Sequence, residues 1–154
     1  MLPTTVDRVP SHTDQQTNEK IRQQTIASIA FYGRSGNAAI ERRLRELDEE
    51  WDIERLLETN AATISLVGLA LGATVDRRWF FLPAAVAAFL LQHALQGWCP
   101  PLPVFRQWGI RTAAEIDKER YALMALRGDF EIYDPEEDRS PMQAVQRAIA
   151  AAQV

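Results

Sequence analysis

The stretch from Thr59 to Cys99 constrains this chain more than anything else in it. It reads TNAATISLVGLALGATV, then DRR, then WFFLPAAVAAFLLQHALQGWC. The first run, Thr59 to Val75, holds no charge in 17 residues. Ile64, Leu66, Val67, Leu69, Leu71 and Val75 spread around the whole helical circumference. A helix apolar on every side must be buried in a large core or in lipid. The flanks of this 154-residue chain are too polar to wrap one. The expected fold is therefore all-α, a two-helix transmembrane hairpin with amphipathic N-terminal and C-terminal helices outside the bilayer.

The spans are short. At about 1.5 Å per residue the first covers about 25 Å, against a hydrocarbon core of about 30 Å. A hairpin that stops mid-bilayer is the structural competitor. Its turn would be Asp76-Arg77-Arg78, and each such charge costs about 2.5–3.5 kcal/mol at the bilayer centre. A turn of three charges wants water, so both helices should cross. Trp51, Trp79, Trp98 and Trp108 stand where interfacial anchors are expected. Arg42, Arg43, Arg45 and Arg55 precede the first span, and Arg106, Arg111, Lys118 and Arg120 follow the second. The turn offers only Arg77 and Arg78. By this majority both termini belong in the cytoplasm, and the protein in a bacterial inner membrane as a multi-pass protein. The first residues lack a basic segment followed by an apolar one, so no cleavable signal peptide is expected.

Four segments follow: a mobile tail over residues 1–17, an N-terminal helical arm over 18–58, the hairpin over 59–105 and a C-terminal helical arm over 106–154. In the first arm Asn18 and Asn37 are the expected helix caps. Ile40, Leu44, Leu47 and Trp51 form a stripe with Glu41–Arg45, Arg42–Glu46 and Arg45–Glu49 as i,i+4 pairs on the wet side. Asp52 interrupts this stripe before Ile53, Leu56 and Leu57. After the second span Pro100, Pro101 and Pro103 predict an extended exit along the membrane surface. Thr112-Ala-Ala-Glu115 is a capping box opening a helix to Arg127, with Gly128 as its stop. An acidic link, Asp134 to Asp138, leads to a last helix with Met142, Val145 and Ile149 on one side.

Both arms are mildly acidic. Residues 1–58 carry 8 basic and 11 acidic side chains and residues 106–154 carry 7 and 9. Such a balance argues against a nucleic-acid partner held through phosphates. Gly68 and Gly72 stand four apart in the first span, a spacing that lets a neighbouring backbone approach closely. Ala84 and Ala88 answer in the second span. Fastening the hairpin is the simplest use of these four; a dimer seam is the alternative. Gln92, His93 and Gln96 are the polar residues of the second span, suited to interhelical hydrogen bonds, with a proton relay or ligand contact as the alternative. Cys99 is the sole cysteine. His93 lies six positions away and off its helical face, so no Cys–His dyad is implied locally. Near a helix end, beside Trp98, the thiol is expected to stay protonated. No catalytic residue, metal ligand set or cofactor motif emerges.

The two short spans ending in Gly97-Trp98-Cys99-Pro100, followed by an aromatic-basic exit and Gly109-Ile110-Arg111-Thr112, resemble the YgaP-like transmembrane domain of bacterial inner-membrane proteins. The resemblance covers about residues 56–112. It implies a helical hairpin of uncharacterised function, dimeric in some members and in others fused to a rhodanese sulfurtransferase domain. This chain has no rhodanese-length α/β region, so sulfurtransferase activity does not carry over.

The reading is a non-enzymatic membrane anchor, scaffold or interaction module. Its partners are the lipid bilayer and, through the cytoplasmic helices, a second copy or another protein. Two alternatives stand beside it: a thiol- or sulfur-handling component using Cys99, and an accessory subunit of a larger membrane complex.

Overall fold

A computed structural model describes residues 4, 6–130, 143, 145, 146, 149 and 150, and over these the chain is all-helical. The α-helices are α1 (Gln15–Arg34), α2 (Asn37–Glu49), α3 (Ile53–Thr74), α4 (Phe81–Gln96), α5 (Leu102–Gln107) and α6 (Ala113–Arg127), with 3-10 turns at Pro10–His12 and Arg77–Phe80. They belong to two compact units. One comprises Met1–Asn18 and Trp51–Ile110, the other Glu19–Glu50 and Arg111–Val154.

The first unit is the hairpin with its base. Asp52 starts α3 by accepting a hydrogen bond from the Arg55 N–H at 2.7 Å. The helix thus begins six residues before the uncharged run. Asp76 then caps the 3-10 turn by accepting from Arg78 N–H at 2.8 Å, and α4 returns along α3. Gly68 faces Leu82 and Pro83, and Gly72 faces Phe80, the pairing of an antiparallel pair. Ala84 and Ala88 are exposed. The expectation that they complete the small-residue face is corrected: large side chains near the turn fill the glycine gaps instead.

Two further expectations change in this unit. Gly97, at φ 82, ends α4, so the prolines are not what stops that helix. Nor do they force an extended exit. Pro101 stands at the N-cap of α5 and Pro103 in its first turn, where a missing N–H costs little. Leu102 from α5 is buried with Val9, Ile53, Leu57 and Cys99, and Phe105 and Ile110 pack on this cluster. Burial of Val9 also corrects the mobile tail. The chain over residues 6–13 is turned and partly packed, and Asp14, not Asn18, caps α1, its carboxylate accepting from the Thr17 N–H at 3.0 Å.

The second unit packs α2 against α6. Ile29, Ile40, Leu47, Ile116, Ala122, Leu123, Ala125 and Val145 form its core, with Ile149 packed on it. The N-cap of α2 is Gly36, not Asn37. At α6 the capping box forms as the sequence predicts: Thr112 accepts from the Glu115 N–H and Glu115 accepts from the Thr112 N–H. Gly128 ends the helix in the left-handed region. Of the expected surface pairs Glu41–Arg45 is present, while Glu46 pairs with Arg43. The acidic link and Met142 lie outside the described residues.

Candidate functional site

Polar groups converge at the base of the hairpin, where the first turn of α3 meets the last turn of α4. His93 is buried there, and its Nε2 lies 2.9 Å from Glu54 Oε2. The other carboxylate oxygen accepts from Arg8 Nη2 at 2.8 Å. Arg8 also donates through Nη1 to the Ala94 carbonyl at 3.2 Å. Gly97 reverses the chain in the left-handed conformation and returns Cys99 to the helix it has just left. The thiol, 3% exposed, is near enough to the His93 imidazole to interact with it electrostatically.

An ionised carboxylate can only accept, so Glu54 fixes the proton on Nε2. Nδ1 is buried and makes no hydrogen bond of ordinary geometry. A thiol, an imidazole and a carboxylate thus stand in order, with an arginine holding the carboxylate from behind.

Sequence reasoning singled out His93 and Cys99 but kept them apart, because helical periodicity does not carry past Gly97. It missed Glu54 and Arg8 altogether. The available signal was hairpin register, which sets the start of α3 level with the end of α4. The other polar residues of the span do not join the cluster: Gln92 is half-buried and Gln96 is exposed.

The tryptophans do not gather at one place. Trp51 is exposed, with the Arg55 guanidinium 4.2 Å from its ring centroid. Trp79 and Trp108 are exposed and Trp98 is half-buried. Beyond the hairpin base, Arg106 is buried and donates to Thr13 Oγ1, the Ile110 carbonyl and Asn18 Oδ1.

A second polar cluster holds the other unit together. Glu119, fully buried on α6, accepts from Arg43 Nε at 2.9 Å, from the Ser28 hydroxyl and from Arg111. Arg111 also forms a bidentate pair with Glu50 at 2.8 and 2.7 Å. Burial alone would raise the Glu119 carboxyl. The hydrogen bonds from Arg43 and Ser28 and the charge and hydrogen bond of Arg111 outweigh it, and hold the group below the usual carboxylate range. Every oxygen there is engaged by the fold, so this cluster is read as structural. Among the described residues no group of three or more His, Cys, Asp or Glu is disposed to hold a metal ion.

Two helices of the chain are long and apolar enough to cross a membrane. No family model matches the sequence, and neither a curated protein nor a solved structure does.

Proposed function

We propose that this is a multi-pass inner-membrane protein whose hairpin anchors a helical unit on the cytoplasmic face. That unit serves as a scaffold or interaction surface for another protein or a second copy, without catalysis. The observation that carries the reading is the exposure of the apolar helices. Only 22% of the most apolar window of the first, and 6% of the second, is buried inside the protein, whereas a soluble core helix would be mostly covered. Leu66, Val67, Leu69, Phe81, Leu91 and Leu95 all point outward. Left in water they would form a continuous apolar surface of the kind that marks a membrane or partner.

Connectivity adds a second support. Helix α2 precedes the hairpin and α6 follows it, yet the two pack together in one unit. An even number of crossings is needed to bring both arms to the same side. The excess of arginine and lysine beside the outer span ends over the two in the turn makes that side the cytoplasm.

Membrane fractionation tests it. The full-length protein should sediment with membranes and stay there through alkaline carbonate and high salt, releasing only with detergent. Recovery in the soluble fraction after carbonate would overturn the reading.

A further inference from the structure

We infer that α5 is a membrane-surface helix, its outer side, Val104 and Trp108, seated at the boundary between the headgroups and acyl chains of the bilayer that the hairpin crosses. This rests on the membrane reading above and adds to it a lipid contact outside the two spans.

The side chains of α5 and its C-terminal cap are arranged in the reverse of a water-facing helix. The one charged residue, Arg106, is 1% exposed, whereas Trp108 is 72% and Val104 45% exposed. Arg106 is held inward through Thr13 Oγ1, the Ile110 carbonyl and Asn18 Oδ1, at 3.2, 3.0 and 2.9 Å. Leu102 is buried with Ile53 and Leu57, and Phe105 packs on the same cluster. Val104 and Trp108 stand one helical turn apart, the Trp108 N–H donating to the Val104 carbonyl at 3.1 Å. In water, burying a guanidinium and leaving an indole wet are both unfavourable. At the headgroup level the exposed indole becomes favourable, because its ring is apolar and its N–H still finds a polar partner.

The place of α5 in the hairpin unit favours lipid over a protein as the cover. Gly97 reverses the chain at the end of α4, and Leu102 returns to the first turns of α3. Helix α5 therefore lies level with the end of the hairpin. Phe89, Leu91 and Leu95 are exposed on α4, and from Leu95 to Ile110 Arg106 is the only charged residue. The apolar surface of α4 thus runs on to Val104 and Trp108 without an exposed charge. A helix of six residues is too short to bind lipid unaided, but here the fold has already ordered it.

Depth-dependent quenching tests this on the full-length protein, reconstituted in phosphatidylcholine vesicles that contain dibrominated phosphatidylcholine. Replacing Trp51, Trp79 and Trp98 with Phe leaves Trp108 as the sole indole. Its emission should be quenched more by lipid brominated near the headgroup end of the chain than by lipid brominated near the chain terminus. Phe89→Trp, in a chain with all four tryptophans replaced by Phe, reports on the middle of α4 and should show the opposite order. Quenching at Phe89→Trp with none at Trp108 would overturn the inference and leave the anchor standing; quenching at neither would overturn both. Trp108 shielded from lipid bromine and from aqueous acrylamide alike would mean that a protein covers α5, and would also overturn it. If the three replacements disturb the helices by circular dichroism, Trp108→Phe in the otherwise native chain decides by difference. Quenching by the shallow bromines should then fall, and unchanged quenching would count against the proposal.

Discussion

Gly68 and Gly72 occupy equivalent places in a spacing motif but face different neighbours, and the difference is measurable. A Cβ at Gly68 would come within 2.7 Å of Pro83 Cδ, part of a ring fixed to the backbone of α4. A Cβ at Gly72 would meet the Phe80 ring at the same 2.7 Å, and Phe80 is 42% exposed, so its ring has room to swing outward. Gly68→Ala should therefore cost more than Gly72→Ala, within the about 1–3 kcal/mol typical of overpacking. Thermal unfolding in detergent, followed by circular dichroism, gives the order; equal melting points would contradict it. Gly97 is more constrained than either. Its positive φ and the Arg8 carbonyl oxygen leave no room for a side chain. Gly97→Ala should destabilise the protein more than either helical substitution, by the same measurement. The spacing of Gly68 and Gly72 was legible as a packing face, but its partner was not. Identity of the filler depends on the length of the turn, and a 3-10 turn brings Phe80 and Pro83 where Ala84 and Ala88 were expected.

At the scale of elements, α2 and α6 are joined by a buried charge cluster whose removal should be felt by the whole unit. Glu119→Gln would leave Arg43 and Arg111 facing a neutral acceptor. Breaking one member of a buried ion pair costs about 3–5 kcal/mol, and a loss of that order is expected in chemical denaturation. The pH dependence has a definite sign. Because the folded-state pKa of Glu119 is depressed, its contribution is complete above the unfolded value of about 4.3 and is lost as pH falls through the folded value. Acid unfolding below about pH 4 should therefore become shallower in Glu119→Gln than in the wild type. An unchanged acid limb would show that the cluster is not a stability determinant. At the start of the same helix Thr112→Ala removes half of the capping box, and about 1 kcal/mol of stability should go with it. The box was readable because it is local: donor, acceptor and spacing lie within four residues. The Glu119 cluster was not, since Ser28 and Arg43 are 91 and 76 positions distant from it. Along the chain nothing sets Arg43 and Glu119 apart from the other charged residues of their helices.

For the molecule as a whole, the prediction is topological. If the hairpin crosses twice, a reporter active only in the periplasm should be silent when fused after Val154 and active when inserted at Arg77. Periplasmic activity of the C-terminal fusion would sink the assignment of the arms to the cytoplasm. The packing of α2 on α6 gives this more weight than the arginine count does. Arg106 and Arg111, two of the basic residues in that count, are buried and bound within folded units. If the hairpin crosses a membrane, any part they play in orienting it belongs to insertion, before those partners are in place.

The sequence by itself determined the helical class, the two long apolar helices, the charged turn between them and the capping box of α6. Each of these follows from the properties of residues near one another along the chain: an uninterrupted apolar run, three adjacent charges, a four-residue hydrogen-bonding pattern. The tertiary structure decided which helix face fills the glycine gaps, which carboxylate is buried and where Cys99 comes to rest. The first and last of these depend on chain reversals at Asp76 and Gly97, which bring together groups 39 positions apart in the case of Glu54 and His93. A turn fixes register only when the helices on both sides have packed, and side-chain patterns carry no record of that packing.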